Sequence, residues 1–300
     1  MRFRPDHKDG DAFFIAKKGQ YVLVRNERMK KMETIVFIGA GSMAEAIIAG
    51  IVEQGALKPE QVFVTNKSDY ARLEELQAKY GVSILDEEKE ALTKADLIVM
   101  ATKPKDIHKA MAETAPYLKE EAAVLSVIAG VSLQTLEDGF GARPIARSMP
   151  NTSATIGKSA SGVAWNAAVD SSMKQHVLGL LESIGIVKEF EEDDLHTVTA
   201  LSGSGPAYVY YLVEAMEEAA IDKGLSKDVA RELIIQTLEG AAAMLKQTKT
   251  EPAELRKNIT SPGGTTEAGL KALEIRLFKQ AIGDCINEAE SRSRELGALS

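Results

Sequence analysis

Cysteine is nearly absent from this sequence. The single thiol, Cys285, excludes an internal disulfide and any cysteine-built metal cluster. It falls in an apolar-periodic stretch, which reads as a packed thiol rather than a nucleophile. Histidine is scarce too, and His7, His108, His176 and His196 follow no metal-ligand spacing, so no metal site is expected. No apolar run approaches the roughly 18 residues that cross a bilayer, so no membrane partner is expected. Positive charge is also lacking overall. A net charge of −8 argues against a nucleic-acid face. What remains is an ordinary globular mixture, 45% hydrophobic and 27% charged, long enough for one large domain or two modest ones. A cytoplasmic protein is expected.

The first 31 residues differ from the rest, with nine Lys or Arg against four acids. Their apolar pieces, AFFIA and YVLV, are too short for a signal-peptide core. Residues 1–31 read as an extension outside the fold, a hairpin, or an over-extended start, with Met29 and Met32 as alternative initiators.

The run TIVFIGAGSMAEAIIAGIVEQG is a buried strand, a glycine turn and an amphipathic helix in order. Thr34 to Ile38 is β-branched and apolar, as a central parallel strand should be. Gly39-Ala40-Gly41-Ser42-Met43-Ala44 then spells G-x-G-x-x-A. Gly39 permits a tight turn, Gly41 lets backbone approach a pyrophosphate, and Ala44 lets helix and strand pack closely. A helix N-terminus presents free N–H groups to the phosphates. Ile38 to Met43 is therefore predicted to bind a dinucleotide.

A second strand, Gln61 to Asn66, ends in Asn66-Lys67-Ser68. An NAD enzyme usually places a carboxylate there against the ribose 2′-hydroxyl. Here a cation stands between neutral polar groups, with Arg72 one turn further on, which predicts NADP(H) in preference to NAD(H). Lys67 and Arg72 as merely solvated side chains is the competing reading. Strands follow at ADLIVMATKP, AAVLSVIAGV and RPIARSMPN, with helical segments such as 106–118 between them. Such alternation predicts a parallel, doubly wound sheet with its ligand beyond the carboxyl ends of the strands. Ala101, Thr102, Lys103 and Pro104, with Val127, Ile128 and Ala129, lie at such ends and are predicted to wall the ribose and nicotinamide. SASGVAWN and GIVKEFEE read as further strands, separated by a helix over 171–184.

From Asp194 onward the strands stop. Helices are predicted over 204–223, 227–247, 265–273 and 276–296. Pro206 suits the first turn of one, and Gly224 suits its stop. Several are apolar on more than one face, which predicts burial in a homodimer. One stretch breaks the pattern: LRKNITSPGGTTEAGLKAL. Pro262-Gly263-Gly264 ahead of a helix starts a loop whose N–H groups can converge on an anion, with the Thr265 and Thr266 hydroxyls beside them. An αα-corner, with Thr265 as helix cap, accounts equally well for the same residues.

At these residues the chain resembles the Δ1-pyrroline-5-carboxylate reductase family. The resemblance rests on Pro252, Leu255, Ile259, Thr260, Ser261, Gly263, Gly264, Thr266, Gly269, Leu270 and Leu273. It also takes in FIGAGSMAEAI, ATKP, MPNT and LSGSGPAYVY, and runs from about residue 33 to the end. It implies a Rossmann domain over 32–192 and a helical substrate and dimerisation domain over 193–300, with the site between them. It implies reduction of a cyclic imine to L-proline, in a homodimer or a decamer built of dimers. The backbone at Gly263, Gly264 and Thr265 would hold the carboxylate. The Thr266 hydroxyl would meet the ring nitrogen as the catalytic group, and Asn258, Ser261 and Glu192 would complete the pocket. Glu192 also lies in the acidic run EEDD, where a solvated turn is the competing reading. An iminium carbon is already electrophilic, so no catalytic His or Cys is required; orientation and a hydrogen bond at nitrogen suffice. Two residues depart from the family pattern: Ser153 stands where proline is usual, and Glu88 where asparagine is common near the cofactor. A reductase using a lysine or acidic general acid on its helical side, and a non-catalytic NADP(H)-binding protein, are the rivals.

Overall fold

The computed structural model describes residues 12–17, 20–25, 32–85 and 89–298. Strands β1 (Ala12–Lys17) and β2 (Gln20–Arg25) pair antiparallel in a two-stranded sheet of their own. The remaining expectations for residues 1–31, and that for Glu88, lie outside the described residues.

An eight-stranded sheet organises the front of the chain. Its strands are β3 (Ile35–Ile38), β4 (Val62–Thr65), β5 (Ser83–Ile84), β6 (Leu97–Met100), β7 (Ala123–Ser126), β8 (Ile145–Met149), β9 (Ser159–Trp165) and β10 (Gly185–Glu189). Across the sheet they run β10-β9-β8-β7-β6-β3-β4-β5. Strand β3 therefore sits between β4 and β6, where the winding reverses, and ligands bind at such a point. All residues of β3, β6 and β7 are buried, because both faces of the sheet are covered. One core packs Phe37, Ile47 and Leu97 on one face; the other packs Val36, Ile98 and Met111 on the opposite face. The covering helices are α1 (Ser42–Glu53), α2 (Tyr70–Tyr80), α3 (Glu90–Lys94), α4 (Ile107–Thr114), α5 (Leu133–Phe140) and α6 (Ser171–Glu182).

The sheet departs from the expected all-parallel arrangement at one pair: β8 and β9 run antiparallel. Only a short 3₁₀ turn, Thr152–Ile156, lies in the link between them. A parallel crossover needs a dozen or more residues, so a short link returns the chain antiparallel. Helix α6 then supplies a full crossover, and β10 pairs parallel to β9.

After β10 the chain is helical: α7 (Asp194–Val198), α8 (Gly205–Asp222), α9 (Lys227–Thr248), α10 (Pro252–Asn258), α11 (Thr265–Ile275) and α12 (Phe278–Ala298). Between α7 and α8 lies a π-turn, Thr199–Gly203, marked by the Ser204 N–H donating to the Thr199 carbonyl at 2.8 Å. Helix α10 is absent from the sequence expectation; it is two turns long, too short for periodicity to reveal, and is opened by Pro252. The helical region faces outward with much of its apolar surface. Tyr210, Tyr211, Leu233, Ile235, Met244 and Phe278 are all exposed in the single chain.

Candidate coenzyme and substrate sites

The glycine turn after β3 is shaped by one close approach. Gly39 has φ +113°, a conformation that L side chains rarely adopt, and a Cβ there would come 2.5 Å from the Ala101 carbonyl oxygen. Its N–H donates to Thr65 O at 2.9 Å, and Ala101 N–H donates to Ile38 O at 2.9 Å. Three strand ends are thus drawn together. Gly41 caps α1 without any side-chain hydrogen bond, so the first N–H groups of the helix stay open to a ligand.

These strand ends open into a cavity of about 1150 Å³. Of the predicted coenzyme residues, Ile38, Gly39, Ala40, Gly41, Ser42, Asn66, Lys67, Ser68, Ala101, Thr102 and Lys103 line it. Met43, Pro104, Val127, Ile128 and Ala129 lie outside that lining, although Val127 N–H donates to Met100 O at the end of β6. Six cations face the cavity: Lys67, Arg72, Lys89, Lys103, Lys105 and Lys109. Four carboxylates, Glu45, Asp69, Asp106 and Glu113, face it too. In a protein of net charge −8, that local excess of positive charge suits an anionic ligand. Thr102 Oγ1 is the one buried side-chain polar atom without a partner among the described residues. A buried hydroxyl left unpaired is costly, and a ligand in the cavity would satisfy it. The residues therefore fit a dinucleotide.

The loop at Pro262 is a turn rather than a capped helix start of the usual kind. Gly264 is the N-cap of α11 with no side-chain cap bond, so Thr265 does not cap; its first-turn N–H groups are uncapped, as an anion cradle requires. Gly263 has φ +72°. Its N–H donates to the Glu267 carboxylate at 2.8 Å, so this loop already accepts a carboxylate from its own helix. Ser261, Thr265 and Asn258 are exposed, Gly264 and Thr266 partly so. The coenzyme cavity is lined wholly by residues between Ile38 and Thr114, with none from this loop.

Glu192 is no solvated turn. Its Oε1 accepts from Leu133 N–H at 2.7 Å and from Arg147 Nη1 at 2.9 Å, and Arg147 is buried in β8. Neither partner belongs to the glycine loop. Nearby, Asn151 Nδ2 donates to the Ser202 carbonyl at 2.9 Å, tying the end of β8 to the π-turn. At the far end of the chain, Arg294 pairs with both Asp193 carboxylate oxygens, and His196 Nδ1 lies 2.9 Å from Ser293 Oγ. These contacts seat α12 against α7.

Comparison with known proteins agrees with both halves. Residues 192–296 match a family described as pyrroline-5-carboxylate reductase dimerisation, and residues 34–130 match NADP oxidoreductase, coenzyme F420-dependent. Pyrroline-5-carboxylate reductase 2 of Bacillus subtilis is 47% identical over 266 residues, covering 88% of this chain and 95% of the relative. The chain belongs to the pyrroline-5-carboxylate reductase family. Among solved structures, the pyrroline-5-carboxylate reductase of Coxiella burnetii is similar with a TM-score of 0.83 at 35% identity, covering 89% of this chain and 99% of that one. The Plasmodium falciparum pyrroline carboxylate reductase with NADP bound is similar with a TM-score of 0.79 at 30% identity, covering 89% and 99%. As a member of this reductase family the chain is an NADP-dependent oxidoreductase, with a helical region that in the family serves assembly.

One sequence expectation is corrected within this family frame. Arg72 is not free to meet a 2′-phosphate. Its guanidinium is engaged with Glu45, with Glu75 at 2.6 Å and with the Ala40 carbonyl at 3.2 Å. Lys67, by contrast, lies 3.6 Å from Asp106 and is 62% exposed, so its ammonium can exchange partners. Sequence reasoning missed the Arg72 network and the Glu192–Arg147 pair. Arg72 and Glu45 lie 27 residues apart and Glu192 and Arg147 lie 45 apart, where no periodic pattern relates them; only the Arg72–Glu75 pair has helical spacing.

Proposed function

We infer that this chain reduces L-1-pyrroline-5-carboxylate to L-proline with NADPH, and with NADH less well. The observation that carries this reading is one chain holding both a built dinucleotide cavity and an open glycine loop whose N–H already takes a carboxylate. NADPH held at the Gly39–Ser42 turn and the cavity beyond it would supply a hydride to the imine carbon. The protein's own work is orientation, which converts an encounter into a near-attack pair, and stabilisation of charge at nitrogen. The backbone at Gly263, Gly264 and Thr265 holds the substrate carboxylate, which takes the place of the Glu267 carboxylate at the Gly263 N–H. Thr266 Oγ1 hydrogen-bonds the ring nitrogen, and Asn258 and Ser261 flank it. Glu192 holds Arg147 and the start of α5 together at the end of the sheet. Val127, Ile128 and Ala129 extend the coenzyme wall beyond the cavity.

In this reading residues 32–192 form the coenzyme domain and 193–300 the substrate domain. The exposed loop and the exposed apolar faces of α8, α9 and α12 are covered by a second copy. Sedimentation distinguishes a homodimer from a decamer built of dimers. The reaction is tested by following NADPH oxidation with fresh pyrroline-5-carboxylate and assaying proline. Turnover with proline as product is expected; NADPH binding without turnover would sink the reading.

A further inference from the structure

A carboxylate lines the dinucleotide cavity where an anionic ligand is expected. Glu45 stands in the first turn of α1, with only 20% of its side chain exposed. Left unpaired, it would repel a phosphate at the same helix end. Three neighbours prevent this. Lys79 Nζ and Tyr80 OH both donate to Oε1 at 2.9 Å, and Arg72 Nη2 donates to Oε2. These donors, the Lys79 hydrogen bond foremost, hold the Glu45 carboxyl down at about 2.

Arg72 is the member of this cluster that reaches the turn. Nη2 meets Glu45, Nη1 meets Glu75, and Nε donates to the backbone oxygen of Ala40. A guanidinium is a rigid planar fork, so two carboxylates at its ends fix where Nε points. Ala40 lies between the two fingerprint glycines. In a trans peptide the carbonyl and the following N–H point in opposite directions. Holding the Ala40 carbonyl therefore sets the direction of the Gly41 N–H, at the N-cap of α1.

We propose that Arg72 is a positioning residue for the coenzyme: anchored by Glu45 and Glu75, it holds the Ala40–Gly41 peptide in the orientation that binds the pyrophosphate, and it takes no part in reading the 2′-phosphate. The inference rests on the dinucleotide reading of this cavity. A lysine at position 72 keeps the charge but not the fork, so charge and geometry can be separated.

The test uses the assembled protein, its Arg72→Lys variant and its Arg72→Gln variant. Calorimetric titration with ADP-ribose and with 2′-phospho-ADP-ribose reads the two ligands independently of turnover. Both variants are expected to weaken both ligands by a similar factor, about tenfold, the order expected for one hydrogen bond from a charged group. In steady-state assays the KM for coenzyme rises while kcat and the KM for the imine hold. A loss confined to the phosphorylated ligand would make Arg72 a 2′-phosphate reader and overturn the proposal. Unchanged binding of both ligands would overturn it as well, as would a fall of kcat and melting temperature together in Arg72→Lys. If the parent protein binds neither ligand, the dinucleotide reading itself is lost.

Discussion

Strand β3 and helix α9 are both rich in apolar residues, yet they place them oppositely. No residue of β3 is more than 7% exposed. In α9 only Ala230 and Ile234 are buried, while Val229, Leu233, Ile235, Met244 and Leu245 lie open. The strand is covered by its own chain, with helices on both faces of the sheet. Among the described residues the helix packs chiefly on α8, and a pair of helices cannot hide more than one stripe each. Apolar patches of this kind mark association surfaces. The front of the molecule covers its central strands within one chain, whereas the back leaves apolar helix faces open.

A charge on the open face should separate the two halves most sharply. Leu233→Glu or Tyr211→Glu is expected to yield a smaller species by light scattering, with turnover lost and NADPH binding kept. Retained assembly and activity in both variants would mean these faces are not the contact. Next in size, Thr266→Ala is expected to lower kcat for imine reduction by roughly a hundredfold, the usual effect of removing one donor from a developing charge. Coenzyme affinity should not change; an unaltered kcat removes Thr266 from the chemistry.

Lys67→Glu acts on the front half alone. It should shift the ratio of kcat/KM for NADPH over NADH by about tenfold toward NADH, the scale of exchanging one exposed charge attraction for a repulsion of similar size. Assembly should stay intact, and an unmoved ratio would remove Lys67 from 2′-phosphate recognition. The smallest effect concerns the seam between the halves. Burial lowers the His196 pKa below its ordinary 6.5, and the cations Arg147 and Arg294 push the same way. The folded state thus binds this proton less readily than the unfolded chain. The stability involved is full above about pH 6.5 and is lost progressively as pH falls toward the lowered value. The melting temperature should therefore fall less steeply on acidification in His196→Gln than in the parent; parallel curves would count against it.

Much of the front half is legible in residue order. Strands β3 and β6 are short unbroken apolar runs and β7 is apolar up to Ser126, and a buried parallel strand favours that pattern. The fingerprint turn is legible because its glycines answer to local backbone needs, as the positive φ of Gly39 shows. The reversal of β9 is less visible, since it depends on how a short 3₁₀ link turns the chain. Within the Pro262 loop, Gly263 and Gly264 stand out, but the Glu267 contact with Gly263 does not. For Arg72, proximity to Lys67 in sequence suggests a role that its three partners contradict.

Residue type and spacing alone carry the order of the strands and most helices, the glycine turn, and the break in the helical pattern at Pro262. These features span a few positions each, where backbone conformation and side-chain period act directly. Three others wait on the folded chain: which carboxylates hold Arg72, that Glu192 binds Arg147, and which helical faces stay open. A charged side chain has several partners of suitable sign along the chain. Which one it meets depends on where distant elements cross once the sheet has formed, and that geometry is not written in local spacing.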